Sequence, residues 1–436
     1  MSRIIEYIKD KKILILGFGR EGKSTYSYIR KHLPEKELFI GDRNQPQIED
    51  ENVSVIYGEN YLGCLGDFDI VFKSPGIAFL EDDMYPETTE ITCQTDMFLR
   101  FCDPVVVGIT GSKGKTTTST LIYEMLKAGG VNTCLIGNIG VPVFEKADEG
   151  DDLVAVIEMS SHQLEFTKAS PHVAVLVNIY EEHLDHYKTG FEGYVGAKLN
   201  IALHQKNNDV LIYNPEQDLT GVVDWDKVIR GIPTPVTFTS AAEDEFVNEL
   251  WKSTEHLKGE HNRQDIAYAL AAARVFGVSD EAARLAISGF GGIEHRMEYV
   301  GVINDVTYYN DSIATIPTAV MGAVKAIGNV DSHIFGGLDR GIDYTDFIEF
   351  LKNNNVKNLI GLPETGHMII EELKKQGCTK NMICAKDMAD AVENADKYTE
   401  KGKSCLFSPA AASYNYYKNF EEKGKHFKKL VQQLTK

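Results

Sequence analysis

The sequence predicts an α/β protein of three domains: an N-terminal Rossmann-like domain, a central P-loop-type domain with a parallel sheet, and a C-terminal Rossmann-like α/β domain. Three observations predict it. The chain has 436 residues, enough for three cores at about 150 residues per domain. Short apolar runs recur along it, each leading into glycines or polar residues and then a helical pattern. Two of those runs open into glycine-rich loops that precede helices, and strands alternating with helices imply parallel sheets.

The first run, Ile13 to Leu16, enters Gly17-Phe18-Gly19-Arg20-Glu21-Gly22 and a helical pattern through Tyr26 and Ile29. Strands follow at Glu37 to Ile40, ending in Gly41-Asp42-Arg43, and at Asp69 to Phe72, ending in Lys73-Ser74-Pro75-Gly76. A new unit starts near Asp103-Pro104, where Val105 to Ile109 runs into a second glycine loop and a helix over Thr117–Ala128. Buried strands are expected at Leu153 to Ile157 and Val173 to Val177, and an alanine-rich helix from Ile266 to Val275 closes this region. After Glu294-His295-Arg296, apolar segments at Val302-Ile303, His333 to Phe335, Asn358 to Ile360 and Ser404 to Phe407, spaced by helical stretches, read as a third α/β unit.

Composition bounds the function. Lys plus Arg number 45 against 64 Asp plus Glu, a formal charge of −19 that repels a phosphate backbone and argues against general nucleic-acid binding. Any anion site must be local. No apolar run approaches the roughly 20 residues of a membrane span, and the polar N-terminus does not read as a secretory signal, so the chain is expected in the cytoplasm and off the membrane. The seven scattered cysteines include no Cys-x-x-Cys pair and read as reduced packing residues.

Gly17-x-Gly19-x-x-Gly22 follows a strand and opens a helix, with Asp42 twenty positions after the last glycine. This is a dinucleotide fingerprint: backbone donors at a helix N-terminus meet a pyrophosphate, and a carboxylate meets a ribose hydroxyl. A UDP group carries the same pyrophosphate and ribose, and a structural turn can carry the same glycines. The second loop, Gly111-Ser112-Lys113-Gly114-Lys115-Thr116-Thr117, would cradle phosphates on its N–H groups, with Lys115 on the β and γ phosphates and the Thr116 hydroxyl on Mg²⁺. Gly108 lies one residue too early for strict P-loop spacing. An NAD(P)-dependent oxidoreductase would leave the second loop idle, and a nucleotide switch would leave the first. A ligase holding a nucleotide-linked substrate in one domain and ATP in the next uses both.

Two strand ends add metal-binding candidates. Glu158 ends one buried run and His183 lies just beyond another, and in a parallel sheet both ends share an edge with the phosphate loop. Lys198, on an expected helix, is by itself an ordinary lysine.

Taken together, Thr110 to Thr117, Gly137-Asn138-Ile139-Gly140, Glu158 to Ser161, Asn178 to Asp185, Ala197-Lys198-Leu199, Gly259 to Asn262, Glu294 to Glu298, Asn310-Asp311-Ser312 and Ser408 to Ser413 with Lys418-Asn419-Phe420 resemble the Mur ligase family over essentially the whole chain. The resemblance implies ATP-dependent amide synthesis in peptidoglycan precursor assembly. It points to the branch that joins D-glutamate to UDP-N-acetylmuramoyl-L-alanine, with L-glutamate or another amino acid as the alternative. It implies residues 1–95 as the UDP-substrate domain, 96–297 as the ATP domain and 298–436 as the amino-acid domain, in a monomer.

Carried over by position, Thr116 and Glu158 resemble ligands of two Mg²⁺ ions, with His183 on the second. Lys198 resembles a carbamoylated lysine beside that second ion. Asn262, Arg296 and Asp311 resemble ATP contacts. Asp42, Arg43 and Ser74-Pro75-Gly76 resemble the uridine pocket, and Asn138, Ser160 and Gln163 the sugar and alanine contacts. Thr315, Arg340, Ser413 and Phe420 match the amino-acid site. The chain departs from the pattern at Ile313 and Arg340, where the family usually has Lys, and at Asp265, where an Asn is expected near the adenine.

Overall fold

The computed structural model describes residues 2–81, 84–214, 235–237, 244–254, 256–257, 259–413 and 416–434. Contacts divide the chain into two compact units, Met1–Phe290 and Gly291–Lys436.

The first unit holds two parallel sheets. One comprises β1 (Ile13–Leu16), β2 (Leu38–Asp42), β3 (Val53–Tyr57), β4 (Ile70–Lys73) and β5 (Glu90–Thr92) in the order β3-β2-β1-β4-β5. β1 is apolar at every position and buried throughout, as expected of a strand covered on both faces. Register places Leu16 level with Gly41 on one side and Lys73 on the other, so Gly17, Asp42 and Ser74 emerge side by side. Strand order reverses at β1/β4, the point in an open α/β sheet where a crevice forms beyond the carboxyl ends.

The other sheet comprises β6 (Val105–Thr110), β7 (Thr133–Gly137), β8 (Val154–Glu158), β9 (Val173–Leu176), β10 (Val210–Tyr213) and β11 (Pro235–Thr237), ordered β11-β10-β9-β6-β8-β7. β6 again lies at a reversal, between β8 and β9. Ile109 is level with Glu158 and Thr110 with Leu176, which sets the glycine loop between the two strand ends that the sequence singled out. The sheets share an apolar core that runs from Ile4, Ile13 and Tyr28 to Phe144, Ile157 and Leu176.

The second unit carries β12 (Glu298–Ile303), β13 (Val306–Asn310), β14 (Val330–Phe335), β15 (Asn358–Gly361), β16 (Asn381–Cys384) and β17 (Ser404–Phe407), ordered β12-β13-β17-β14-β15-β16. β17 inserts between β13 and β14, parallel to both. The expected helical spacing fails at one place. Val302-Ile303 leads into an antiparallel hairpin, because Asn304 and Asp305 take φ of 53° and 66°, the left-handed pair of a tight two-residue turn that these residue types tolerate.

Candidate functional site

The first glycine turn is held by its own side chains. Gly17 has φ +88°, and a Cβ there would lie 2.8 Å from the Ser74 Oγ, so a larger residue would be both strained and blocked. Ser74 Oγ donates to the Gly17 carbonyl at 2.8 Å, and Asp42 Oδ2 accepts the Phe18 N–H at 2.8 Å. The resulting cleft, of about 460 Å³, is lined by Gly17, Gly19, Asp42, Arg43, Ser74, Pro75 and Gly76 from the first sheet and by Asn138 from the second. Gly22 packs behind the turn. Ser160 and Gln163 cap the short Ser161–Leu164 helix, and the Gln163 amide donates to Glu21, which lines the cleft. Glu21, Tyr61 and Pro142 line it without having been singled out in the sequence; burial pushes the Glu21 carboxyl upward.

In the second loop Gly114 has φ +81°, and a Cβ there would lie 2.5 Å from Asp265 Oδ1. The Lys115–Ala128 helix begins immediately after it, presenting the first-turn N–H groups of Thr116 and Thr117 that an anion can use. Lys115 donates to the carbonyls of Gly111 at 2.8 Å and Ser112 at 2.9 Å. Lys198, in the Phe191–Leu203 helix and 1% exposed, donates to the same Gly111 carbonyl at 2.8 Å. Burial, then the nearby Lys115 charge, holds the Lys198 ammonium well below the usual lysine range, and Glu182 and Glu158 oppose the shift. Ser112 Oγ lies 2.6 Å from the Tyr194 hydroxyl, and Asn178 ties down Lys113 by accepting its N–H at 2.8 Å, while Lys113 pairs with Glu182.

Glu158 ends β8 at 1% exposure. Its Oε1 accepts from the Asn138 amide at 2.7 Å, and its Oε2 is buried without a hydrogen-bond partner. That orphaned oxygen, beside a phosphate loop, fits a Mg²⁺ ligand. Among the described residues no three His, Cys, Asp or Glu side chains could hold a metal by themselves. Mg²⁺ is typically held by one or two carboxylates, substrate phosphates and water, so the two observations agree. His183 stands on the loop after β9 with φ +53°, its ring 4.9 Å from His162 and 6.4 Å from Tyr194.

Asn262 lies in the first turn of the Glu260–Val275 helix and donates to Asp265 Oδ2 at 3.3 Å. Asp265 Oδ1 accepts from Thr118 at 3.2 Å, joining this helix to the phosphate-loop helix. Burial pushes the Asp265 carboxyl up to about 7, and its hydrogen bonds to Asn262 and Thr118 pull the other way.

In the second unit Asp311, Thr315, Arg340 and Ser413 all follow the carboxyl ends of β13, β14 and β17, three adjacent parallel strands, and so lie at one sheet edge. Asp311 accepts from Ser408 Oγ at 2.6 Å and from the Met297 N–H at 3.1 Å, and burial pushes its carboxyl up to about 6. Arg296 and Arg340 are exposed; Ser413 is buried, with its hydroxyl unpartnered among the described residues. Phe420 begins the Phe420–Gln433 helix, its ring edge-on to His295 at 5.8 Å.

Comparison with known proteins agrees with this architecture. Residues 109–285 match the Mur ligase middle domain and 295–411 the Mur ligase, glutamate ligase domain. The chain is 34% identical to the UDP-N-acetylmuramoylalanine--D-glutamate ligase of Clostridium kluyveri over 98% of each chain, and 31% identical to that of Clostridium botulinum strain Langeland over 99% of each. It belongs to the Mur ligase family.

Among solved structures it is similar to UDP-N-acetylmuramate-alanine ligase MurC of Thermotoga maritima, with TM-score 0.53 and 16% identity over 97% of this chain and 99% of that one. The MurF ligase of the same organism, solved with ADP, matches with TM-score 0.50 and 15% identity over 98% and 96%. These two show the fold. Among the described residues no helix is long and apolar enough to cross a membrane.

Proposed function

We propose that this chain joins D-glutamate to UDP-N-acetylmuramoyl-L-alanine at the expense of ATP; the names of its relatives give the two compounds joined. The observation that carries the reading is the pairing of two phosphate cradles in one unit, the second with Lys115 and Lys198 converging on the Gly111 carbonyl.

A carboxylate is a poor electrophile, so the alanine carboxylate takes the γ-phosphoryl of ATP, releasing ADP. The glutamate amine then attacks the acyl phosphate carbon, the tetrahedral intermediate collapses, phosphate leaves and the amine proton is lost. The first cleft binds the nucleotide end of the acceptor through its turn N–H groups, with Asp42 and Arg43 at its rim. Lys115 offsets charge on the phosphoryl group in flight. Thr116, Glu158, His183 and Lys198 would hold the two Mg²⁺ ions, which when bound neutralise charge on the phosphates. In the first unit Asn262 carries an ATP contact that the resemblance implies; in the second, Arg296 and Asp311 carry such contacts, and Thr315, Arg340, Ser413 and Phe420 those to the incoming amino acid.

A buried lysine whose ammonium form is disfavoured is a nucleophilic amine. Attack of the Lys198 amine on CO₂ with loss of one proton gives a carbamate, whose oxygens suit a hard cation. The ranges 1–95, 96–297 and 298–436, a monomeric state and a cytoplasmic location belong to the same reading.

The test measures phosphate release with ATP, Mg²⁺ and UDP-N-acetylmuramoyl-L-alanine while the amino acid is varied. Release that requires the acceptor and D-glutamate supports the proposal. Release with L-glutamate in its place would assign the Ile313 and Arg340 departures to a changed amino acid, and release without any acceptor would end the ligase reading.

A further inference from the structure

One carboxylate oxygen joins two parts of the first unit that lie 92 positions apart in sequence. Lys73 ends β4 and is 3% exposed, and the next three residues form the Ser74-Pro75-Gly76 turn of the cleft. Its ammonium lies 3.0 Å from Glu165 Oε2 and sits 5.5 and 5.3 Å from the ring centroids of Phe79 and Phe166. The same Oε2 is 3.4 Å from Nε2 of His186. The His186 ring lies 3.8 Å from that of His162, which in turn contacts His183, and the His186 N–H closes the turn by donating to the His183 carbonyl at 3.1 Å.

A buried ion pair is a poor stabiliser, because desolvating both charges offsets their attraction. An apolar pair would hold these elements together without that cost. What the charges add is direction: Glu165 can satisfy Lys73 and His186 only at one separation of β4 from the His183 loop. His183 itself holds a left-handed backbone that an L-residue leaves unless its neighbours fix it.

We propose that Lys73, Glu165 and His186 are positioning residues that set the separation between the turn gripping the nucleotide-linked substrate and the loop carrying His183, so that the acceptor carboxylate meets the phosphoryl-transfer groups in register. The identity of the two ligands rests on the ligase reading above; the linkage itself does not.

The test uses the full-length enzyme in two forms. The charge-neutral double variant Lys73→Met with Glu165→Gln leaves no unpaired charge buried, and Lys73→Arg keeps the pair. Each is assayed for phosphate release and titrated with Mn²⁺ in the presence of ATP by calorimetry. The neutral pair is expected to lower kcat and weaken Mn²⁺ binding, each by about ten-fold, with KM for ATP changed less than about two-fold, while Lys73→Arg stays near the parent. A neutral pair that matches the parent in both readouts overturns the proposal, as does an equal loss in both variants. If the parent releases no phosphate with these substrates, the ligase reading fails, and the Mn²⁺ titration still decides the positioning role.

Discussion

The two glycine loops of the first unit occupy equivalent places, each after a central strand where the strand order reverses, yet they are braced by different groups. The Gly17 turn is braced by oxygen atoms: Asp42 accepts from Phe18 and Ser74 donates to Gly17. The Gly111 loop is braced by amines, with Lys115 and Lys198 on a single carbonyl. A pyrophosphate that is only held needs backbone dipoles at a helix N-terminus, whereas a phosphoryl group that is transferred needs fixed positive charge where negative charge moves. On the proposed reading, the first loop serves as a handle and the second as the reaction centre.

That contrast can be broken in several ways. Lys115→Ala should lower kcat by about 10²–10³-fold while calorimetry finds acceptor binding unchanged; a comparable loss of acceptor affinity would mean that the two loops do not divide the labour. Lys198→Ala should lose about 10²-fold, with part of the activity returned by formate or acetate. An inactive variant that no short carboxylate rescues would argue for the amine itself rather than a carbamate.

On the other loop, Gly17→Val should weaken acceptor binding by about ten-fold and leave the KM for ATP near the parent value, because only the first turn is strained. Loss of both affinities together would show the loops to be coupled.

The smallest effect separates the acids behind the loops. Asp42 is half-buried at its cleft, but Asp265 is sealed behind Gly114 with its carboxyl up at about 7. A raised carboxylate value means the folded state holds the proton more tightly than the unfolded one. The stability contributed is therefore full below the unfolded value near 3.8 and is lost as pH rises through about 7. Asp265→Asn should be more stable than the parent by about 1 kcal/mol at pH 8, with the advantage shrinking toward pH 4 in denaturant melts. A constant difference across that range would assign the effect to packing instead.

β1, β6 and β8 were legible because burial on both faces leaves an uninterrupted apolar run, whereas the interior strands β10 and β13 were not among those expected. Strands β3, β5, β7 and β16 gave no such run, and all four are sheet edges, where β3 and β16 leave much of their surface exposed. The first loop could be read from its glycine spacing, and the second from Gly114-Lys115-Thr116-Thr117 at a strand–helix junction, since its glycine spacing departs from the P-loop pattern. Glu158 and His183 could be placed by strand ends, but Lys198 became a site residue only through family resemblance, since nothing local marks a lysine as buried. Lys73 carries a local signal, a charge closing a four-residue strand whose other members are all apolar. Its partner could not be read, because the contact with Glu165 spans 92 positions.

The insertion of β17 between β13 and β14 has a consequence for biogenesis. The first sheet can close once about a quarter of the polypeptide has left the ribosome, since its last strand ends at Thr92. The sheet of the second unit lacks a middle member until Ser404–Phe407 is synthesised, so β13 and β14 must wait unpaired along that side through most of the unit's translation. Long-range parallel pairing of this kind is slow and exposed to aggregation. Nascent chains truncated before that segment are the ones expected to engage chaperones.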